Sequence, residues 1–183
     1  VCNGGTYTLD IEAYNNIVSV AQEAINDTAK YDSASRANLQ TVLNNNNTVN
    51  DCLTIEQVNA KISAIQTAIN ALVLNKYSIT VNYVDENGKE LAVGEEGATS
   101  KTYDAVDYGT IQNVVAPTNY NSVDYAVYKW TRNRTDGDII SGLNSSSLDV
   151  VVKGDSTYYV FLKKTSVDSS QVEGNSFAIT LNN

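Results

Sequence analysis

The chain has 183 residues, a formal net charge of −9, and 42% hydrophobic and 18% charged residues. This composition is typical of globular proteins, and the length fits one ordinary domain or two small ones. The acidic charge disfavours binding to phosphate backbones and to anionic membranes. No apolar run approaches the roughly 20 residues that a membrane span needs. We therefore expect no nucleic-acid partner and no membrane-spanning segment.

Histidine is absent from the chain. It is the usual general base and the commonest zinc ligand, and Ser–His and Cys–His nucleophile pairs require it. Only carboxylate, tyrosine or lysine chemistry stays open, and no acid pair stands in a recognisable catalytic setting. The sequence therefore predicts a protein that is not an enzyme and that has no metal site and no cofactor.

The first 75 residues have the apolar spacing of helices. Thr8 is a possible N-cap of a first helix. A second helix follows Ser33 or Ser35 and stops at the run Asn44–Asn47, because asparagine favours turns over helix. The apolar stripes of these two helices contain Tyr14, Ile17, Val18, Ala21, Ala24 and Ile25, and then Leu39, Val42 and Leu43.

A third helix has the clearest pattern. Thr54 and Gln57 have the spacing of a capping box, and the stripe after them contains Val58, Ile62, Ile65, Ile69 and Leu72. A continuous stripe of this kind packs against antiparallel helices. The short joins between the three helices predict an antiparallel three-helix bundle over residues 1–75.

Two cysteines precede the first and the third predicted helix. In an up-down-up bundle these two helix starts lie at the same end, so Cys2 and Cys52 are expected to form a disulfide. The bond would close a loop of about fifty residues, worth roughly 4 kcal/mol. It would also point to an oxidising compartment.

The helical segment resembles the FIVAR family. The resemblance rests on Tyr31-Asp32-Ser33 through Leu43 and on Leu53-Thr54-Ile55-Glu56-Gln57-Val58 through Leu72, and it covers about residues 14–74. FIVAR modules recur in Gram-positive surface proteins and in large secreted glycosidases. The resemblance implies a spacer or interaction role and no catalytic residue.

Residues 76–165 have the patterns of a β-rich domain. Ile79, Val81 and Tyr83 alternate with polar residues, as in a half-buried strand. Asp85–Gly88 has the residues of a turn, and Gly154-Asp155 those of a hairpin turn between the last two strands. Further strands are expected at Lys101–Tyr103, Ile111–Val115, Tyr125–Thr131, Leu148–Val152 and Thr157–Leu162, and residues 166–183 form a linker or the start of a following strand or repeat.

The segment from Ser78-Ile79-Thr80-Val81-Asn82-Tyr83 to Lys89-Glu90-Leu91 resembles the opening of MucBP-like modules. The resemblance covers about residues 77–165, with Tyr158–Lys164 similar to the closing strand. It implies a β-grasp-like surface module, some members of which bind mucus or host glycans. The predicted fold class is therefore α+β with two segregated domains, a helical bundle followed by a small β-grasp-like or sandwich-like domain.

Tyr128, Trp130, Arg132 and Arg134 are the candidate ligand-binding residues, because their spacing places them on one strand face. Aromatic rings stack on sugars and arginines bridge acidic groups. The alternative is that both aromatic side chains pack in the core or at its edge and that the arginines face solvent. Asp85, Asn87 and Glu90 lack the full ligand series of a calcium loop, so a polar turn explains them better.

These patterns predict an extracellular module, secreted or anchored to the cell wall, that acts in adhesion or ligand binding and as a spacer. Its partner would be a host or dietary glycan, a mucin or another surface protein, and the module itself would be a monomer. The alternative is an ancillary or carbohydrate-binding region of a large secreted glycoside hydrolase. A third possibility is a stalk that binds nothing.

Overall fold

The computed structural model describes residues 11–50, 53–141 and 145–165. The predicted Cys2–Cys52 disulfide, the Thr8 cap and the predicted linker at 166–183 lie outside the described residues. Within them the chain contains three α-helices followed by a mixed β-sheet and a two-stranded ribbon, so the fold class is α+β.

The three helices are α1 (Glu12–Asn26), α2 (Ser33–Asn45) and α3 (Ile55–Asn70). The capping box predicted for α3 is confirmed, because Gln57 N donates to Thr54 Oγ1 and Thr54 N donates to Gln57 Oε1. The cap of α2 is Asp32, whose Oδ1 accepts from Ser35 N at 2.7 Å. The helix therefore begins at Ser33 rather than after Ser33 or Ser35, and the Asp32 carboxylate places negative charge at the positive end of the helix.

The three helices pack against one another around a common core. Leu39 and Ile65 are fully buried in this core. The Arg36 side chain links α2 to the end of α1 and the loop after it, because it donates to the backbone carbonyls of Ile25 and Tyr31. The other buried members are Tyr14, Ala21, Ala24, Leu43, Val58 and Ala68. The apolar stripes read from the sequence therefore form this core, with Ile17, Val18, Ile25, Val42, Ile62, Ile69 and Leu72 partly buried against it.

Eight strands follow the helices in the part of the chain that the structure describes. They are β1 (Lys76–Val84), β2 (Ser100–Asp107), β3 (Ile111–Val115), β4 (Asn119–Tyr120), β5 (Val123–Arg132), β6 (Ile139–Ser141), β7 (Ser147–Val151) and β8 (Ser156–Lys164). The order in the main sheet is β2-β1-β8-β5-β4, with β6 also paired to β5, while β3 and β7 form a separate antiparallel ribbon. β1 and β8 are parallel, and β5 and β8 are antiparallel.

The predicted hairpin between the last two strands is wrong. β7 pairs with β3, whereas β8 lies between β1 and β5. β8 buries residues of both faces, namely Tyr158, Val160, Phe161 and Leu162, so it gains most from a central position with strands on both sides. Asp155 is not part of a hairpin turn, and its carboxylate instead accepts from Ser78 N of β1 at 2.8 Å.

The chain divides into two compact units. The first, here called the helical unit, runs to Tyr77 and also includes Asp107–Thr110 and Val152–Gly154. The second, here called the sheet unit, comprises Ser78–Val106, Ile111–Val151 and the chain from Asp155 onward. None of the described helices is both long enough and apolar enough to cross a membrane.

The cap of α2 leads to a prediction about acid stability. The hydrogen bond from Ser35 N holds the pKa of Asp32 below its usual value. Such a carboxyl stabilises the fold above its unfolded pKa of about 3.9, and this contribution disappears as the pH falls through the lower folded-state pKa. We expect Asp32→Asn to make the melting temperature fall less steeply between about pH 5 and about pH 2.

The control for this measurement is Asp138→Asn, an exposed carboxylate between β5 and β6. It removes one negative charge, as Asp32→Asn does, at a position that caps no helix, and it should keep the slope of the parent protein. Identical melting curves for Asp32→Asn and the parent at every pH would contradict the assignment of Asp32 as the cap.

Candidate functional site

The four candidate residues read from the sequence do not form one exposed face. The pairing of β5 with β8 shifts between Val127 and Lys129, which leaves Tyr128 as an extra residue at a bulge. Tyr128 is 46% exposed, whereas Trp130 is 0% exposed and its Nε1 donates to Ser145 O at 2.8 Å. Because the indole is enclosed, it has no free face on which a sugar could stack.

The two arginines already have partners within the sheet unit. The Arg132 guanidinium lies 5.9 Å from the ring centre of Tyr158. Arg134 lies beyond the end of β5 and donates to both carboxylate oxygens of Asp136, at 2.7 and 2.6 Å. This ion pair raises the pKa of Arg134 and lowers that of Asp136. The prediction that the four side chains share a strand face is therefore corrected, because a bulge and a strand end interrupt the alternation on which it was based.

A different feature of the sheet unit has the shape of a binding site. It is a cleft of about 940 Å³, here called the tyrosine cleft, within the size range of ligand pockets. Its lining comes from β1, the segment between β1 and β2, β2, the end of β3 and β4. The lining residues are Tyr83, Val93, Gly94, Glu95, Glu96, Ala98, Ser100, Lys101, Tyr103, Val115, Ala116, Pro117, Asn119 and Tyr120.

The wall between β1 and β2 depends on two glycines. Gly94 has ordinary backbone angles, but its missing side chain leaves room for the ring of Tyr83. Gly97 has a φ of +81°, which disfavours other residues, and a Cβ there would lie 3.0 Å from the hydroxyl oxygen of Tyr120. The single 3₁₀ turn Glu95–Gly97 between them also holds Glu96 at a φ of 54°. These positions bring the turn close to two of the cleft's three tyrosines.

The three tyrosines differ in environment. Tyr83 is 3% exposed, and its pKa is raised by burial and by the nearby Tyr103 and Glu95, so its hydroxyl is neutral at physiological pH. The hydroxyl oxygen of Tyr103 accepts from Val115 N at 3.2 Å. Tyr103 and Tyr120 are partly exposed, so part of each residue is accessible to a ligand.

Charged and amide groups stand beside these rings. Lys101 Nζ lies 5.5 Å from the ring centre of Tyr103 and 3.9 Å from Glu95 Oε1. Asn119 Nδ2 donates to Asp124 Oδ1 at 2.6 Å, and this hydrogen bond holds the side-chain amide in place at the first residue of β4. The cleft therefore combines aromatic surface with hydrogen-bond donors and acceptors, the arrangement by which proteins bind polar ligands that have apolar faces.

Neither the cleft nor the rest of the described chain offers a metal centre. Among residues 11–50, 53–141 and 145–165, no three carboxylates or other metal-binding side chains come together. Asp85, which sequence reasoning compared with a calcium ligand, uses one carboxylate oxygen to accept from Asn87 N and Lys89 N. It caps its own turn, as the polar-turn interpretation predicts.

Sequence reasoning missed the tyrosine cleft. The pattern of β1 identified Tyr83 as a buried residue, and nothing nearby in the sequence linked it to Tyr103 or Tyr120. The chain has 12 tyrosines, so tyrosine content by itself selects no group of three. Gly94 and Gly97 around two glutamates were the most informative feature, because paired glycines in a short connection indicate close approach of other groups.

Gly94 provides a direct test of how the cleft is built. A Cβ at this position would lie 2.7 Å from Tyr83 Cε2 and 2.9 Å from Ala98 O. The tyrosine is buried and the carbonyl accepts from Gly94 N, so neither can move cheaply. We expect Gly94→Ala to lower the free energy of unfolding by about 1–3 kcal/mol.

Gly154→Ala is the matched control, since a Cβ at Gly154 would meet no atom within 4 Å. Its effect in denaturant titrations should stay within about 0.5 kcal/mol of the parent. Equal stabilities for the two alanine variants would show that the backbone at Gly94 does not pack closely against the ring of Tyr83.

No protein-family model matches the chain, and no curated protein or solved structure matches it. The resemblances to FIVAR and MucBP-like modules therefore stay predictions that rest on the quoted residues.

Proposed function

We propose that the chain is a non-catalytic, extracellular binding module of a bacterial surface or secreted protein, and that its sheet unit binds glycan in the tyrosine cleft. The observation that carries this proposal is the cleft itself, which sets the partly exposed rings of Tyr103 and Tyr120 beside Glu95, Lys101 and Asn119, with the buried Tyr83 beneath them as part of the wall. Aromatic rings pack on the apolar faces of sugars while charged and amide groups bond to their hydroxyls.

The architecture that we propose is a three-helix bundle followed by a β-grasp-like domain. The shared core of the three helices supports the first part. The parallel pairing of β1 with β8 supports the second, because a sandwich built from antiparallel sheets would not place these strands in parallel. In this arrangement the helical part acts as a spacer that presents the sheet unit, in accord with the FIVAR-like and MucBP-like resemblances.

The proposed partners are a glycan of host or dietary origin, a mucin or another surface protein. The proposed setting is a monomeric module of an adhesin. The alternative hypothesis is that the chain is an ancillary region of a secreted glycoside hydrolase, in which the same cleft would bind a glycan.

The experiment that tests this function is a glycan array with the full chain, followed by titration of a bound glycan against variants. We expect Tyr103→Ala and Tyr120→Ala each to weaken binding about thirtyfold, or about 2 kcal/mol, because each removes a ring that a sugar would cover. Circular dichroism of each variant checks that it folds.

The matched control is Tyr128→Ala, which removes an exposed tyrosine that does not line the cleft. Arg132→Ala and Arg134→Ala test the site that the sequence suggested. If Tyr128→Ala or either arginine variant abolishes binding while the folded Tyr103 and Tyr120 variants bind like the parent, the tyrosine cleft is not the site.

A further inference from the structure

We propose that the tyrosine cleft selects uncharged, hydroxyl-rich glycans and discriminates against their sialylated and sulfated forms. This inference rests on the proposed function and adds the class of ligand to it. It comes from the balance of charges and hydrogen-bonding groups around the three rings.

The charged groups of the cleft are two carboxylates and one ammonium, on Glu95, Glu96 and Lys101. The ammonium already has two neighbours, the Glu95 carboxylate at 3.9 Å and the ring of Tyr103 at 5.5 Å. Both side chains of this pair are exposed, Glu95 to 93%, so the pair is weak, but the three charges of the cleft still sum to −1. An anionic ligand would meet more repulsion than attraction there.

Hydrogen bonding favours the same class of ligand. An ionised carboxylate only accepts, so Glu95 and Glu96 need a partner that donates. A sugar hydroxyl donates to a carboxylate and also accepts from the Lys101 ammonium or the Tyr103 hydroxyl. The carboxylate of a sialic acid and a sulfate ester have no proton to donate, so neither group can replace the water that hydrates these exposed glutamates.

The field of the whole chain acts in the same direction, since its formal net charge is −9. A unit charge about 6 Å from a like charge in water weakens binding roughly threefold, before screening by salt. The net charge of −1 in the cleft therefore predicts that the anionic form of a glycan binds up to about threefold more weakly than its neutral form.

The experiment is a glycan array in which each neutral core is also present in sialylated and sulfated form, with affinities then measured by titration at low and high salt. We expect the neutral member of a pair to bind more tightly. The difference should shrink at about 0.5 M salt, where the Debye length is only a few ångströms. A sialylated or sulfated glycan that binds at least as tightly as its neutral core at low salt overturns this inference and leaves the proposed function standing. An array that detects no bound glycan overturns the proposed function.

A charge variant makes the test specific for the cleft. Glu95→Gln with Glu96→Gln removes both carboxylates and keeps Lys101, so the anionic form should bind at least as tightly as the neutral one. The control is Glu23→Gln with Glu90→Gln, which changes the net charge equally at exposed positions that do not line the cleft. The control should keep the preference of the parent. Loss of the preference in the control, or its retention in the cleft variant, would contradict the assignment to Glu95 and Glu96.

Discussion

Replacing Trp130 with alanine is expected to lower the free energy of unfolding of the sheet unit by about 3–5 kcal/mol. Trp130 is 0% exposed and is the largest of the fully buried side chains among the described residues. By register with β8 it lies opposite Val160, which in turn lies opposite Tyr83 of β1. Its removal would leave a cavity at the centre of the sheet and would leave Ser145 O without the donor that it has at 2.8 Å.

Chemical denaturation followed by far-ultraviolet circular dichroism measures this effect, since the variant lacks the chain's single tryptophan. Trp130→Phe keeps most of the apolar volume but loses the hydrogen bond and part of the ring system, so its stability should fall between those of the parent and Trp130→Ala. Tyr128→Ala is the control from the same strand, with an expected change below about 0.5 kcal/mol because its ring is half exposed. If Trp130→Ala were as stable as Tyr128→Ala, the indole would have to be accessible, and stacking on a sugar would again become feasible there.

The second large effect is expected in the helical unit, where Leu39→Ala should cost about 2–5 kcal/mol. Leu39 is 0% exposed and belongs to the core that the three helices share. Alanine is the best helix former, so intrinsic propensity would slightly favour the variant and the loss would come from packing. The helical circular dichroism signal in a denaturant titration measures the change.

Val20→Ala in α1 is the matched control, because Val20 is an apolar helical residue that is 47% exposed. It should leave the transition within about 0.5 kcal/mol of the parent or stabilise it slightly. A loss at Val20 as large as that at Leu39 would mean that the helices pack through a different face from the one described.

The sequence by itself determined the elements that depend on interactions between residues close together in the chain. The apolar stripes of the helices, the capping box of Thr54 and Gln57, the alternation of Ile79, Val81 and Tyr83 in β1 and the Asp85–Gly88 turn are all present in the structure. Each depends on residues within about one or two turns of each other along the chain, so the period of the pattern and the chemistry of a cap or a turn suffice to predict it.

Only the tertiary structure decided how the strands pair and where a ligand could bind. β8 does not pair with β7, the strand before it in the chain. It lies between β1 and β5, where apolar side chains on both of its faces are buried. The bulge at Tyr128 separates residues that spacing alone placed together. The tyrosine cleft joins β1, β2, β3 and β4, and the three tyrosines that line it are up to 37 residues apart, from Tyr83 to Tyr120. Such groups meet only through long-range packing, for which a local pattern in the sequence carries no information.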